Sequence, residues 1–417
     1  MLQGAWQVAR RPGIAVLLVV ITLMFGGFFM LIPFVSVYGT RELGLTAAAI
    51  GSILAMRVVV QQGLTVFGGA VADEVGYKPV LALGIFIRAV GFVMFAFAHS
   101  FWSLMLAAFV AALGGVLFEA THKAALAALV EPSERAVAFS LIGTAGRVGT
   151  MLGPLAAVVL LPIGFATLSM AAAGCFFISC VAVLLFLPAV RAPKVENRLS
   201  MRAMLRKVWS DRPFVLFTGL TIGYWFLFNQ LFLSLPLYVS YVTGSDAVVG
   251  QVLAVYSGFA LIAQYPVVAW ASRRFPPFAI MTVGFVLMAV GMAGLAILPT
   301  GLAPWVSLAV LLFALPLVVY TLGDLLVQPT IAAITSDMAR PEALGSYFGF
   351  SSLGLAIGGG LGNALGGVLF DQAVALGVPA APWLAFTLVA GSLAVAFRWF
   401  GRTVRLVPTP SPSQGVP

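Results

Sequence analysis

Apolar residues fall along this chain in long runs, each about 20 residues or more, broken by short polar interruptions. A run of that length matches one helical crossing of the ~30 Å hydrocarbon layer of a bilayer. The pattern predicts twelve helices, at roughly 14–38, 47–72, 79–98, 101–128, 136–161, 164–188, 214–242, 246–271, 277–299, 304–335, 343–370 and 381–400. Barrel strands are excluded, because each run exceeds the ~10 residues of such a strand and lacks strict alternation. The first run, behind Arg10 and Arg11, is too long for a signal-peptide core and has no small-residue cleavage site, so it is expected to be retained.

Composition agrees: 62% of residues are hydrophobic and 8% charged, too little charge for a water-facing surface. Laid down as alternating crossings, the chain places Arg10, Arg11, Lys78, Arg135, the cluster from Arg191 to Arg212, Arg273, Arg274, Arg340, Arg402 and Arg405 on one side. Arg41 alone falls in an opposite loop. By the positive-inside rule both termini are expected in the cytoplasm. The net charge of +9 is spread over these loops rather than gathered on a basic domain. It reads as a topology determinant and an attraction to anionic lipid, not as nucleic-acid binding. Cys175 and Cys180 lie five residues apart in one predicted helix and suggest neither a disulfide nor a metal site.

The one long polar segment divides the chain near its middle. It predicts a six-helix bundle over 1–190, a basic cytoplasmic linker over 191–213, a second six-helix bundle over 214–402, and a disordered tail over 403–417. The halves resemble each other weakly. Ile50-Gly51-Ser52-Ile53-Leu54-Ala55-Met56-Arg57 aligns with Val249-Gly250-Gln251-Val252-Leu253-Ala254-Val255-Tyr256, and Pro33 with Pro236. One constant spacing pairs Pro132 with Pro341, Phe139 with Phe348, Gly149 with Gly358, and Gly153 with Gly362. Parallel repeats of this kind imply a pseudo-two-fold axis along the membrane normal, with a site between the bundles near midplane.

Between the second and third runs stands Gly69-Ala70-Val71-Ala72-Asp73-Glu74-Val75-Gly76-Tyr77-Lys78-Pro79. Gly69, Asp73, Gly76 and Lys78 resemble the loop signature of the major facilitator superfamily. The resemblance implies that Asp73 sits against the start of the eleventh helix, near Leu344 to Ser346, and that this contact breaks during the conformational switch. Glu74 and Tyr77 stand where that family usually carries arginines. In the fifth helix Gly149-Thr150-Met151-Leu152-Gly153-Pro154 resembles the family's antiporter signature, which implies export. Small residues every four positions permit close packing, and Pro154 bends the helix. Longer runs, Gln61-Gln62-Gly63-Leu64, Leu113 to Glu119 and Gly345 to Gly359, resemble the drug:proton antiporter branch. The resemblance spans all twelve helices.

Each ionisable group at midplane costs about 2.5–3.5 kcal/mol on insertion scales and needs a partner, a wet cavity or a role. The candidates are Arg57, Arg88, Glu119, Lys123, Arg147, Asp324 and, nearer an end, Arg398. Glu119 and Arg147 stand equally far from the loop joining the fourth and fifth helices. They should reach similar depth and form a buried pair, with Lys123 one turn from Glu119 able to compete. His122 reads as a packed polar residue. Asp324 has only Gly358 opposite it by the same count. As a carboxyl with no evident cation it is the first candidate for loading and releasing a proton, with Glu119 the second. The family arrangement implies that the first, fourth, seventh and tenth helices line the cavity. Phe25, Phe28, Phe29, Tyr224, Trp225, Phe228, Asn229 and Gln230 would then supply an aromatic wall with a few amides, suited to flat lipophilic compounds and to cations.

The expectation is therefore a monomeric twelve-helix protein of the major facilitator fold that exports lipophilic or amphiphilic small molecules in exchange for protons. No nucleotide-binding loop, catalytic triad or metal cluster is evident, so neither a cofactor nor an enzymatic activity is expected. The alternatives are a uniporter or symporter for a small polar metabolite, and a non-transporting membrane receptor or assembly factor.

Overall fold

The computed structural model describes residues 8–131, 134–189, 208–299, 302, 305–339 and 344–403. The linker over 191–207 and the tail beyond residue 403 lie outside them.

The described chain is helical: α1 Pro12–Arg41, α2 Ala47–Val75, α3 Tyr77–Ala96, α4 Phe101–Leu129, α5 Arg135–Leu160, α6 Phe165–Phe186, α7 Arg212–Asn229, α8 Ser234–Thr243, α9 Asp246–Arg274, α10 Pro277–Ala296, α11 Val306–Met338, α12 Leu344–Ala375 and α13 Ala381–Thr403. Twelve crossings result, with α7 and α8 together forming the seventh. Local signals set several ends. Ser100 and Ser103 form a reciprocal capping box at the start of α4, and the Thr46 hydroxyl accepts from Ala49 N at the start of α2. Gly76, at φ 109°, makes the tight turn from α2 into α3, a conformation that side chains disfavour.

One predicted helix is corrected. The run over 214–242 is broken after Asn229 and resumes at Ser234. Pro236 has no N–H to give to the Phe232 carbonyl one turn earlier, and its ring crowds that carbonyl, which favours the break at this place. Pro33, its counterpart, lies inside an unbroken α1.

The packing of the first six crossings recurs in the last six. Helix α1 packs on α5 and α6, α2 on α4, and α3 on α4 and α6; likewise α7 packs on α12 and α13, α9 on α11, and α10 on α11 and α13. The repeat extends to single residues. Gly84 and Gly91 of α3 meet Gly114 and Ala111 of α4, as Gly284 and Gly291 of α10 meet Gly323 and Tyr320 of α11. Across the halves, α2 packs on α12 and α5 on α9.

The end carrying Arg11, Arg135, Arg212, Arg274 and Arg402 is the basic end; the opposite one is the far end. At the far end the halves are joined closely. Gly367 lets α12 lie against the Ala47 carbonyl, where any side chain would collide with it. The Asp371 carboxylate accepts from Ala47 N at 2.9 Å and Ala48 N at 2.7 Å, capping the start of α2 from α12. Arg41 donates to the Ser240 and Gly244 carbonyls at the end of α8, at 2.6 and 3.1 Å, and lies 3.0 Å from the Asp246 carboxylate. Each contact sets a charge on the favourable end of a helix dipole. A cavity of about 260 Å³, lined by Arg41, Leu237, Phe370 and Asp371 among others, lies between these two joints.

Candidate functional site

The central charges fall into two groups. In the C-terminal half, Asp324 of α11 is fully buried. The Tyr224 hydroxyl of α7 donates to its Oδ1 at 2.6 Å, and the Tyr256 hydroxyl of α9 donates to its Oδ2 at 3.1 Å. Asp324 is therefore not partnerless, as spacing alone suggested. The depth count searched only the neighbouring helix for a cation, whereas the partners are hydroxyls on α7 and α9.

Arg147 approaches this group from the other half. Its Nη2 donates to Gln328 Oε1 at 2.8 Å, one turn from Asp324 on α11, and its charge reaches both Tyr256 and Asp324. The expected pair of Glu119 with Arg147 does not form. Depth was matched but direction was not, because α5 is packed between α1 and α9 and turns Arg147 toward the C-terminal half. Glu119 instead accepts from Lys123 Nζ at 2.6 Å, four residues on in the same helix. His122 is buried, its Nδ1 2.9 Å from the Phe118 carbonyl, in a packing role.

The second group lies in the N-terminal half. The guanidinium carbons of Arg57 and Arg88 stand 4.9 and 4.8 Å from the centroid of the Phe28 ring. Arg57 donates to Gln61 Oε1 at 3.2 Å.

The aromatic candidates form a band across the middle of the molecule. Phe25 neighbours Phe29, Phe29 meets Phe232 across the halves at 5.1 Å, and Phe232 leads to Phe228 and Tyr224. Phe25, Phe29 and Phe228 keep partly accessible surface, while Tyr224 is fully buried around Asp324. Asn229 and Gln230, expected in the cavity wall, are used in packing. Asn229 donates to the Trp225 carbonyl and accepts from Asn363, and Gln230 donates to the Phe226 and Gly362 carbonyls. Both amides serve the backbone around the break between α7 and α8.

The loop residues lie at the basic end. Gly69 packs near Ala120 of α4, Tyr77 donates to Asp73 at 3.1 Å, and Lys78 is half-exposed in the first turn of α3. The contact expected for Asp73 involves Leu344 to Ser346, whose side chains lie outside the described residues. In α5, Gly149 and Gly153 let α1 approach through the Thr22 and Gly26 carbonyls, and the Pro154 carbonyl faces Gly250 of α9. This glycine stretch therefore belongs to both a packed pair and the seam between halves.

Sequence reasoning missed Tyr256, Gln328, Asp246 and Asp371. A hydroxyl or amide carries no formal charge to flag it, and both aspartates sit at helix ends where a carboxylate looks ordinary. The internal repeat offered one clue, since Tyr256 aligns with Arg57.

Comparison with known proteins agrees with this architecture. The sequence profile of the Major Facilitator Superfamily matches residues 17–362. The chain is 35% identical over 363 residues to the multidrug resistance protein MdtH of Photorhabdus laumondii, covering 87% of this chain and 88% of that one. It is 36% identical over 392 residues to MdtH of Klebsiella pneumoniae, covering 94% of each. Among solved structures, a crystal structure of an auto-inhibited POT family peptide transporter superposes with a TM-score of 0.78 at 14% identity, covering 97% of this chain and 99% of that one. The nucleoside transporter NupG gives 0.72 at 16%, covering 93% and 98%. These two share the fold.

Proposed function

The chain belongs to the Major Facilitator Superfamily, and from that premise we propose that this integral membrane transporter expels lipophilic or amphiphilic small molecules in exchange for protons. The basic end faces the cytoplasm of a bacterial inner membrane, with both termini inside. Export is supported by the multidrug resistance proteins it resembles and by the glycine-rich fifth crossing. One chain carries the whole seam and acts as a monomer.

A single observation carries the coupling. Asp324 is buried where α7, α9 and α11 meet, held by Tyr224 and Tyr256, with Arg147 of the other half in electrostatic reach. The same four groups thus govern both the charge of the seam and its cohesion. With the carboxylate ionised, Arg147 is attracted to the C-terminal half and the pair of halves stays closed at this level. A proton on Asp324 removes that attraction, since a neutral carboxyl no longer offsets the guanidinium, and frees the α5–α9 seam to move. In the far-end-closed conformation, cargo enters from the cytoplasmic side toward the aromatic band. Proton entry when the far end opens favours release and return, and proton loss to the cytoplasm resets the seam.

The test is Asp324→Asn in proteoliposomes carrying an internal pH dye. The amide keeps the size of the side chain and holds no titratable proton. Substrate binding should survive while a substrate gradient no longer moves protons; coupled flux equal to that of the unaltered protein would remove Asp324 from the mechanism.

A further inference from the structure

The N-terminal half contains a charged centre that proton coupling does not use. Arg57 of α2 and Arg88 of α3 both lie over Phe28, and Arg88 is 6% exposed and also 5.8 Å from the Phe176 centroid. Among the described residues neither guanidinium has a carboxylate within ion-pair distance, and the Nε of each is buried without a hydrogen-bond partner. Glu119 acts on Arg88 only at longer range, because Lys123 holds it directly. The cluster therefore sets three cations, Arg57, Arg88 and Lys123, against one carboxylate.

The internal repeat sharpens the point. The spacing that matches Gly114 to Gly323 and Ala111 to Tyr320 brings Gly115 to the position of Asp324. Where the C-terminal half places a carboxylate beside Tyr256, the N-terminal half places Gly115 against the Gln61 side chain, which accepts from Arg57, the residue equivalent to Tyr256. Arg88 is buried and Arg57 half-buried, with no anion beside either; uncompensated charges of this kind are costly to hold and cluster at functional sites.

We propose that Arg57 and Arg88 receive the anionic group of the transported amphiphile, a carboxylate or similar oxyanion on an aromatic body. The inference rests on the amphiphile-export reading and narrows its substrate class. Guanidinium forks suit oxyanions through paired N–H donors. The aromatic body has a place beside them, since Phe28 meets Phe29 at 5.1 Å and Phe29 continues to Phe232. A cationic substrate fits poorly at this level. Both guanidiniums already lie over the Phe28 ring, and a further positive charge would add to an unbalanced excess.

The experiment uses the full chain in phosphatidylcholine nanodiscs, titrated calorimetrically with 2-naphthoate and with its methyl ester, which has the same ring and no charge. The acid should bind at least about tenfold tighter, the scale of one buried charge-assisted contact. Arg57→Gln and Arg88→Gln should each erase most of that gap while leaving the ester unchanged. If Arg88→Gln does not fold, the unaltered protein and Arg57→Gln decide the matter. Equal binding of acid and ester, with the ester still transported in liposomes, overturns the anion site and leaves the export reading standing. Binding of neither overturns both. Replacing half of the lipid by phosphatidylglycerol should weaken acid binding by no more than the several-fold that a surface potential of roughly −50 mV imposes on any monoanion; a loss of about a hundredfold or more would assign the site to a lipid phosphate and overturn the substrate assignment.

Discussion

Asp371→Asn tests the far-end joint. In the structure this carboxylate accepts from the amides of Ala47 and Ala48 at 2.9 and 2.7 Å, binding α12 to the start of α2. An asparagine retains one acceptor oxygen and presents an NH₂ where the second was, so one of the two bonds is lost and the other amide meets a donor. A hydrogen bond to a charged group contributes about 1.5–3 kcal/mol, and the charge at a helix N-terminus about 0.3–1 kcal/mol. The residue is only half-buried and the two contributions overlap, so roughly 1–3 kcal/mol is the expected loss. At about 1.4 kcal/mol per decade this lowers the ratio of closed to open far ends by about 5- to 150-fold. The reporter is Leu237→Cys, 4% exposed beside the far-end cavity, in a background lacking the two native cysteines. Labelling by a membrane-impermeant maleimide follows the open fraction when opening is fast. The rate should rise by that factor, and a reporter at the basic end should slow. A change of less than about twofold would refute the reasoning, because the predicted loss of 1–3 kcal/mol cannot produce so small a shift.

Gly367→Ala acts on the same joint by sterics: its Cβ would collide with the Ala47 carbonyl, overpacking costs about 1–3 kcal/mol, and labelling of the same reporter should rise, an unchanged rate counting against the close approach. Exchanging Glu119 and Arg147 should restore nothing lost in either single variant, and Lys123→Gln should change melting stability by at most about 1 kcal/mol, since the Lys123 side chain is itself more than half exposed; rescue by the exchange would revive the pairing the structure replaces. Arg11 donates two 2.7 Å bonds to the Glu134 carboxylate, and these bonds, then the Arg11 charge, hold its pKa below the usual glutamate range. The stabilising effect of that contact is fully present above the ordinary value of about 4.3 and is lost as pH falls through the lowered one. Fluorescence of a label at the N-terminus should therefore be flat from pH 7 to 5 and change only below; a transition centred above pH 5 that vanishes in Arg11→Gln would contradict it.

Much of the architecture follows from one-dimensional facts. Whether a run of residues enters a bilayer depends on its own summed hydrophobicity, and its depth accumulates at ~1.5 Å per residue, so twelve crossings, the basic end and the membrane depth of Asp324, Glu119 and Arg147 are all legible without a structure. The repeat of the halves is legible in Gly149 with Gly358 and Gly153 with Gly362 because glycines mark where helices touch. Direction around the helix axis is another matter. It depends on which neighbour each helix packs against, so residues matched in depth, Glu119 and Arg147, part company, one to Lys123 and the other to Gln328. The same cause gives Asp324 its tyrosines, takes Asn229 and Gln230 into packing, and sets Asp371 on the start of α2. Insertion cost is paid segment by segment and can be read from a string of letters, whereas the partner of a buried charge is decided by helices that meet only after the whole chain has folded.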